Sequence, residues 1–385
     1  MNKAVVTGIG LVTSAGIGKE SFFNSIQEGK SGISKITLFD TSRYFCKEAG
    51  QVKDITDTSD RAYTFLKKAT DEALIDADIE KTSLANGNAK LFTGTTHGSL
   101  IDWENWYRKI DPPDSWGLAL EDLSIRCQRA LGLKNRGLTI STACTSSTIA
   151  LGLGLLAIRN NKADISIVGG VDVLNEFIFA GFHSLRALTT TCCKPFDKSR
   201  DGLILGEGAA VLVIENLDYA KKRNAKIYCE LKGFSACSDA RHFTAPDLTG
   251  EGIYRCIKNG LQDADVKVEE VSYINAHGTG TELNDRAECI AIKKLFGKYA
   301  FSVPVSSTKP ILGHTSGACG VIEAALCALC IERCFIPPTI NFEFPEKDFP
   351  FDFVPRKGRK KFLDVAISTN AAFGGNNACI VLKRI

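Results

Sequence analysis

A cysteine in a turn between a strand and a helix is the clearest candidate nucleophile of the chain. Cys144 lies in the run T-I-S-T-A-C-T-S-S-T-I-A-L from Thr139, where a strand turns and small and apolar residues can form a buried helix. The unpaired amides and the positive end of a helix lower the pKa of a nearby thiol, which increases the fraction of thiolate. The sequence therefore predicts that Cys144 attacks an electrophile.

Two of the five histidines follow predicted strands in glycine-flanked turns. His277 lies in Y-I-N-A-H-G-T-G-T, and His314 lies in S-S-T-K-P-I-L-G-H-T-S-G. Loops at strand ends are where binding and catalytic residues gather in α/β proteins. One histidine in such a turn is more often structural, but two of them together with Cys144 favour catalysis.

Strands and helices must alternate to position these turns, and the sequence shows that alternation from end to end. Strand-like apolar runs begin at Val5, Ile165 and Val365, with helical patterns between them, which predicts an α/β fold. The triplet I-S-T occurs at 140–142 and again at 367–369, each time before a tight turn. We interpret the two copies as equivalent places in a duplicated fold.

Composition and charge exclude several classes of protein. The chain has 47 Lys and Arg against 44 Asp and Glu, and a net charge of +3 over 385 residues does not predict a nucleic-acid partner. The most apolar late segment, 317–331, contains Glu323, so no membrane span is expected. The first ten residues lack the apolar core of a signal peptide, and the fourteen cysteines fit a reducing cytoplasm.

Motifs for nucleotides and for serine hydrolases are incomplete. Gly8 and Gly10 follow a strand, but Thr13 stands at the third glycine position of a dinucleotide site, and no acidic residue ends a strand about 20 residues later. Glu20 follows Gly18 and Lys19 where a P-loop needs Ser or Thr, and no G-x-S-x-G motif occurs. The sequence therefore does not support a nucleotide-binding site or a serine-hydrolase site.

Four cysteines of one late helix are the best candidates for a metal site outside these turns. Cys319, Cys327, Cys330 and Cys334 have a spacing that places them on one apolar helical face. A free cysteine on such a face usually behaves as a small hydrophobic residue. Core packing is the favoured interpretation, and no metal is predicted.

Nine motifs, in order along nearly the whole chain, carry a family resemblance. Together they resemble the elongating, decarboxylating β-ketoacyl-acyl-carrier-protein synthases of the thiolase-like superfamily. The resemblance implies an α/β, layered αβαβα fold with two pseudo-symmetric halves, each with a mixed sheet, at residues 1–228 and 229–385. The motifs are V-T-G-I-G at Val6, T-A-C-T-S at Thr142, P-F-D-K-S-R-D-G at Pro195, G-E-G-A at Gly206, N-A-H-G-T-G-T at Asn275, S-S-T-K at Ser306, G-H at Gly313, P-P-T-I-N at Pro337 and F-G-G at Phe373.

The same resemblance implies catalytic roles for five residues. Cys144 would accept an acyl group as a thioester. His277 and His314 would assist decarboxylation of a malonyl thioester and stabilise the enolate, which then attacks the acyl-enzyme. Lys309 would organise the histidines. The backbone amides of Cys144 and Phe373 would form the oxyanion hole, and the Phe373 side chain would gate the acyl pocket.

Supporting roles follow from the resemblance for two carboxylates, Glu323 and Asp285. Glu323 lies within the apolar run G-A-C-G-V-I-E-A-A-L, where an unpaired charge is costly. We expect Lys309 or loop amides near the site to be its partner. Structural support is therefore favoured over proton transfer.

Substrate and partner contacts are also implied. Thr279 and Thr281 resemble the pantetheine-binding threonines of the family, although turn stabilisation would also explain them. Lys194 stands where a basic residue meets the acidic acyl carrier protein. No cofactor is expected beyond the phosphopantetheine that the substrates carry. A homodimer is expected, and a heterodimer with a chain-length-factor-like subunit stays open.

Several segments depart from the family pattern. Ala371 and Ala372 replace a phenylalanine and a glycine of the gating loop, which suggests a stiffer gate and a roomier pocket. The segment between Gly98 and Thr142 is short. These departures raise the alternative of a specialised polyene or polyketide synthase subunit. A degradative thiolase is disfavoured because Cys379 lacks a following glycine, and His314 disfavours the Cys-His-Asn relatives.

Overall fold

A computed structural model of the protein describes residues 2–56, 59–108 and 119–385. Strands and helices alternate along these ranges, as the sequence predicts. The strands are β1 (Ala4–Thr13), β2 (Gly16–Ile17), β3 (Ser34–Lys35), β4 (Glu48–Ala49), β5 (Ala89–Gly94), β6 (Leu138–Ile140), β7 (Ile165–Asp172), β8 (Gly208–Asn216), β9 (Cys229–Ser238), β10 (Val271–Asn275), β11 (Val305–Ser306), β12 (Phe335–Ile336), β13 (Arg359–Lys360), β14 (Val365–Ala371) and β15 (Asn376–Lys383). The helices are α1 (Lys19–Glu28), α2 (Arg61–Asp76), α3 (Lys81–Asn86), α4 (Leu100–Tyr107), α5 (Asp122–Ala130), α6 (Ser146–Arg159), α7 (Glu176–Ser184), α8 (Leu217–Lys222), α9 (Glu251–Asp263), α10 (Glu282–Phe296), α11 (Lys309–Leu312) and α12 (Cys319–Arg333).

The main sheet has two matching halves. Its strand order is β11-β10-β14-β15-β9-β1-β8-β7-β5-β6, and β1 joins β9 through antiparallel pairing of Ala4–Val6 with Cys229–Leu231. From β1 outward the successive pairings are antiparallel, antiparallel, parallel and parallel. From β9 outward the same sequence of pairings occurs. The predicted fold of two pseudo-symmetric halves, each with a mixed sheet, is therefore confirmed.

Helices form three layers around the two halves of the sheet. Helix α2 packs on β1 and β8, and α9 packs on β9 and β15, so each covers one outer face. Helices α6 and α12 contact each other and strands of both halves, which places them in the middle layer. A helix in that position is buried on all sides, which favours apolar residues around its whole circumference. All residues of α12 from Cys319 to Ile331 are accordingly buried.

The fold is duplicated, but the two I-S-T triplets do not occupy equivalent places in it. The first triplet begins at the end of β6, which is the edge strand of its half, whereas the second lies within β14, between β10 and β15. In the matched strand order β6 corresponds to β11, and β14 corresponds to β7. The boundary between residues 228 and 229 stays a prediction.

Gly8 and Gly10 have a packing role that fits the absence of a dinucleotide motif. A Cβ atom on Gly8 would lie 2.2 Å from the carbonyl oxygen of Ala73, and one on Gly10 would lie 1.9 Å from that of Ala69. Both carbonyls belong to α2. The glycines therefore let α2 approach β1 closely.

The cysteine-rich late helix is mostly core, with two exceptions. Cys327 and Cys330 are fully buried within α12, as core packing predicts, whereas Cys334 is half-buried just beyond the end of the helix. The Cys319 sulfur lies 3.5 Å from Nδ1 of His314. Searching the described residues finds no helix with both the length and the apolar character that a membrane crossing needs. The segment between Gly98 and Thr142 contains α4 and α5, and its residues 109–118 lie outside the described ranges.

Candidate active site

One cavity of about 430 Å³ brings together six of the residues predicted to act on substrate. The Cys144 sulfur and a ring nitrogen of each of His277 and His314 all lie within 4.8 Å of one another. The three groups come from different elements, and Cys144 precedes both histidines by more than 100 residues along the chain. The lining residues predicted from the sequence are Cys144, His277, Thr279, Thr281, His314 and Phe373.

Cys144 lies in a tight turn between β6 and α6, two residues before the first helical residue. Ala143 has a φ of 53°, which an L-residue adopts at some cost. Three hydrogen bonds within the turn hold this conformation: the amide of Thr142 donates to the Ser146 hydroxyl, that hydroxyl donates to the Ala143 carbonyl, and the Thr145 hydroxyl donates to the Thr142 carbonyl. The thiol is thus placed beside the helix N-terminus, at 9% exposure, by bonds local to the turn.

The turn that carries His277 is fixed by a buried carboxylate. The amides of His277 and Gly278 donate to the two oxygens of Glu288 at 2.8 and 2.9 Å. The Thr369 hydroxyl donates to the same carboxyl group at 2.8 Å. Burial raises the pKa of Glu288 to about 7, although these hydrogen bonds oppose the shift. Glu288 thereby connects α10 to the ends of β10 and β14.

His314 lies between α11 and a 3-10 turn at Ser316–Ala318. Its backbone is held by residues of the other half, since its amide donates to the Ile204 carbonyl at 2.7 Å and its carbonyl accepts from the Gly206 amide at 3.0 Å. The Nδ1 atom of its ring accepts the amide of Ser316 at 3.0 Å. The Cys319 sulfur lies 3.5 Å from the same nitrogen.

A buried ion pair lies behind the histidines. Lys309 Nζ donates to Glu323 Oε1 at 2.8 Å, which confirms the expected partner of Glu323. Burial disfavours the charge of Lys309, but the Glu323 carboxylate more than offsets this effect, so the pKa of Lys309 is raised. Asn370 Nδ2 donates to Glu323 Oε2 at 2.6 Å and lies 3.5 Å from Nδ1 of His277. The Asn370 carbonyl oxygen accepts from Thr148, which fixes the orientation of the amide.

These contacts determine the tautomer that each ring adopts when it is neutral. A backbone amide faces Nδ1 of His314, and the Asn370 amino group faces Nδ1 of His277, so in each neutral ring the proton resides on Nε2. Burial, the charge of Lys309 and the neighbouring His314 lower the pKa of His277 well below its usual value. The ring planes meet at 86° with centroids 5.3 Å apart. The cavity can therefore present an Nε2–H donor from each ring to developing negative charge.

Thr279 and Thr281 lie on the cavity wall in a turn supported by Asp285. The amides of Thr279 and Gly280 donate to the Asp285 carboxylate at 3.0 and 3.1 Å, and the Phe196 amide donates to it at 2.8 Å. The two threonine hydroxyls are 2.9 Å apart. Asp285 is 1% exposed and does not line the cavity, so its contacts fit the predicted structural role.

Phe373 lies at the mouth of the cavity, 38% exposed, in the tight turn between β14 and β15. Its ring stacks on Phe182 of α7 with centroids 5.7 Å apart. The Phe243 carbonyl accepts the amide of Gly374 at 2.7 Å, which ties the turn to a neighbouring loop. Lys194 is half-exposed and is not among the lining residues.

Two family models together match most of the chain. The model of the β-ketoacyl synthase N-terminal domain matches residues 1–220, and the model of the C-terminal domain matches residues 228–343. The chain belongs to the β-ketoacyl synthase family. It is 36% identical to 3-oxoacyl-[acyl-carrier-protein] synthase 2 of Coxiella burnetii over 100% of this chain and 99% of that protein.

Two solved structures extend the similarity to polyketide synthases. The AntDE:AntF structure, which contains a type II polyketide synthase acyl carrier protein in complex with its ketosynthase, matches with a TM-score of 0.94 and 29% identity over 100% of this chain and 99% of that one. The ishigamide ketosynthase/chain length factor matches with a TM-score of 0.93 and 34% identity over 100% and 99%. The chain is thus similar both to a 3-oxoacyl-[acyl-carrier-protein] synthase and to the ketosynthase of a type II polyketide synthase.

Three residues around the site were missed by the sequence reasoning. Asn370, Glu288 and Cys319 contact the two histidines, yet none of them is in the predicted set. The only local signal was the position of Asn370 near the end of a buried strand. By distance alone, Cys144, His277 and His314 form a group that could also hold a metal ion. The expectation of a metal-free site stays a prediction.

Proposed function

We propose that the chain condenses an acyl thioester, held on Cys144, with a malonyl group on an acyl carrier protein to give a 3-oxoacyl-acyl-carrier protein and carbon dioxide. The observation that carries this proposal is the approach of the Cys144 sulfur and the two imidazoles to within 4.8 Å in one cavity. A nucleophile and two imidazole N–H donors are what acyl transfer and decarboxylation need. No cofactor is required beyond the phosphopantetheine arms of the substrates.

In the first half-reaction the Cys144 sulfur attacks the acyl thioester carbonyl, and the carrier thiol leaves. Negative charge develops on the carbonyl oxygen, where the backbone amides of Cys144 and Phe373 would form the oxyanion hole. Each such donor typically contributes about 10²–10³ in rate. Phe373, stacked on Phe182 at the cavity mouth, would gate entry of the acyl chain.

In the second half-reaction the malonyl thioester loses carbon dioxide. The electrons of the broken C–C bond form an enolate, whose oxygen accepts hydrogen bonds from Nε2–H of His277 and His314. The enolate carbon attacks the acyl-Cys144 carbonyl, and the collapse of that adduct expels the cysteine thiolate. Lys309 would keep His277 in place through Glu323 and Asn370.

Carrier recognition would use the cavity wall and its surroundings. Thr279 and Thr281 would bond the amide groups of the pantetheine arm. Lys194 would meet the acidic carrier protein, where a charge mainly increases the association rate. A homodimer in the cytoplasm is the proposed state of the protein.

A second candidate is a polyene or polyketide ketosynthase subunit that acts with a chain-length-factor-like partner. The similarity to the ishigamide ketosynthase/chain length factor favours it, with a TM-score of 0.93 and 34% identity. The two candidates share the chemistry of the site. They differ in the acyl chain accepted and in the subunit required.

Intact-protein mass spectrometry tests the chemistry directly. The protein is mixed with saturated, unsaturated and aromatic acyl-carrier proteins and then with malonyl-carrier protein. We expect an adduct on Cys144 followed by a carrier-bound product longer by two carbons, with no adduct in Cys144→Ala. His314→Ala should keep the adduct and lose condensation. An adduct on Cys144→Ala, or full condensation by His314→Ala, would overturn these roles, and a requirement for an added chain-length-factor-like subunit would favour the second candidate.

A further inference from the structure

A buried carboxylate outside the cavity connects the two halves of the protein beside His314. Asp172 ends β7 and is 1% exposed. Its Oδ1 accepts from the Thr95 hydroxyl at 2.7 Å and from the His97 amide at 2.9 Å. Its Oδ2 accepts from the Thr96 amide at 3.0 Å and from the Gly317 amide at 2.6 Å. One side chain thus satisfies donors from the turn after β5 and from the turn after His314.

The Gly317 contact is next to the hydrogen bond that orients the His314 ring. Gly317 directly follows Ser316, whose amide donates to Nδ1 of His314 at 3.0 Å. Ser316 has a φ of 51°, which is a left-handed conformation. This conformation costs free energy and persists only where surrounding contacts hold it. The Asp172 carboxylate holds the peptide that follows this strained residue. It thereby maintains the direction of the Ser316 amide.

The turn after β5 and the turn after His314 can approach each other closely only because residue 317 is a glycine. A Cβ atom at this position would lie 2.7 Å from the Thr96 amide nitrogen and 2.8 Å from Oδ2 of Asp172. Both distances are shorter than real Cβ contacts. Any larger residue must therefore separate Gly317 from the carboxylate.

We propose that Asp172 is a positioning residue for His314, which keeps Nδ1 of that ring on the Ser316 amide and so directs Nε2–H into the cavity for the decarboxylation step. The proposal rests on the proposed function for its catalytic consequence. Asp172 does not line the cavity, and its effect passes through the turn at 316–318. It links the half that bears the nucleophile to the half that bears the histidines.

The Cys144 turn does not depend on Asp172 in the same way. Its conformation is held by the hydroxyls of Thr145 and Ser146, which bond carbonyls within the turn. Loss of the Asp172 contacts should therefore impair decarboxylation more than acylation. A general loss of stability would impair both steps equally.

Two variants disturb the contact between Asp172 and Gly317, one from each side. In Asp172→Asn the amide oxygen should face the three donors of the 95–97 turn, which leaves the amino group against the Gly317 amide. Gly317→Ala introduces the clash described above. Glu215→Gln is the matched control, because Glu215 is a fully buried carboxylate on the adjacent strand β8 that bonds Arg223 and Thr7 away from the cavity.

We expect Asp172→Asn and Gly317→Ala to acylate Cys144 at near wild-type rates and to decarboxylate malonyl-carrier protein roughly 10- to 100-fold more slowly, as expected for misplacement of a catalytic group. The decrease should appear in kcat rather than in KM. Glu215→Gln should retain the wild-type ratio of the two steps. Wild-type decarboxylation by Asp172→Asn, or an equal loss of both steps, would overturn the proposal.

Hydrogen–deuterium exchange gives a readout that does not depend on turnover. In Asp172→Asn the peptide that covers residues 314–318 should exchange faster, while the peptide that covers 142–146 should not change. Unchanged exchange at 314–318 would overturn the positioning role. Failure of the proposed function would differ, since wild-type protein would then form no acyl adduct whatever the exchange result.

Discussion

Two histidines occupy matching places in the two halves of this protein, yet only one of them faces the cavity. His97 follows β5 and His277 follows β10, and these strands correspond in the matched strand order. The neighbouring strand ends also correspond: Asp172 Oδ1 lies 3.7 Å from Nδ1 of His97, and Asn370 Nδ2 lies 3.5 Å from Nδ1 of His277. The scaffold thus positions a histidine and a polar partner twice.

The partners of the two histidines differ in what else they bind. Asp172 is occupied by backbone amides and a hydroxyl, and Nδ1 of His97 has no hydrogen-bond partner in the part of the chain that the structure describes. Asn370 instead donates to Glu323 and faces His277 with a defined amino group. Equivalent backbone positions therefore do not make equivalent sites, because the tautomer and the access to a cavity depend on these side-chain partners.

Each half of the protein contains a buried ion pair, and variants of these two pairs should have the largest effects. Lys309→Met should leave the Glu323 carboxylate uncompensated and lower the free energy of unfolding by about 3–5 kcal/mol. Arg61→Met is the matched variant in the other half, where Arg61 and Glu207 are both fully buried, and a similar loss is expected. Denaturant unfolding measures both. Only Lys309→Met should also slow decarboxylation per folded molecule, and an equal slowing by Arg61→Met would contradict the comparison.

Removing each histidine tests the comparison at the site itself. His277→Ala should slow malonyl decarboxylation by about 10²–10³-fold, the usual cost of losing one preorganised donor. His97→Ala removes a ring that does not line the cavity and should change the rate by no more than a few-fold. Release of carbon dioxide from malonyl-carrier protein is the measurement. Similar losses in the two variants would mean that both halves contribute to the chemistry.

The pH dependence of decarboxylation should show whether a carboxylate or an amide lies beside the catalytic histidine. The pKa of His277 is lowered mainly by burial, so its ring stays neutral well below the ordinary value of about 6.5. Decarboxylation should therefore show no acidic limb near pH 6.5 from this group. Asn370→Asp would place a carboxylate beside the ring, as Asp172 is placed beside His97, and should raise the pKa of His277 and move the acidic limb upward. An unchanged profile in Asn370→Asp would contradict this expectation.

The same shift predicts how stability depends on pH. The folded pKa of His277 lies below its unfolded value, so between the two values the unfolded state binds more protons. Stability from this group is present above about pH 6.5 and decreases as the pH falls through that value toward the folded pKa. Unfolding at several pH values should show a shallower decrease in His277→Asn than in the wild type. Equal slopes would show that other groups dominate.

The smallest effect is expected from Cys319, which contacts His314 from α12. Cys319→Ala removes a thiol 3.5 Å from Nδ1 but leaves the Ser316 amide in place. Decarboxylation should slow by a few-fold at most, since one neutral hydrogen bond contributes only about 1 kcal/mol net. Cys327→Ala, buried in the same helix, is the control and should alter stability without altering the rate. A complete loss in Cys319→Ala would require a larger role for the thiol.

The sequence predicted the reactive residues of the site better than the residues that hold them in place. Cys144, His277 and His314 stand in turns whose glycines, small residues and strand patterns are visible locally, and the structure brings them together. The sequence predicted that Glu323 has a partner, because an unpaired buried charge is costly, and of the two candidates, Lys309 or loop amides, the structure shows Lys309. The I-S-T triplets misled because three residues carry no information about the place of a strand within a sheet.

The sequence by itself determined the α/β alternation, the nucleophile turn and the two glycine-flanked histidines, because each is encoded in a short run of neighbouring residues. Only the tertiary structure decided that Asn370 contacts His277 and that Asp172 contacts the turn after His314. These pairs are separated by 93 and 145 residues along the chain. Their contacts arise from which strands are neighbours in the sheet and how α12 packs between the halves, and no local pattern specifies that order.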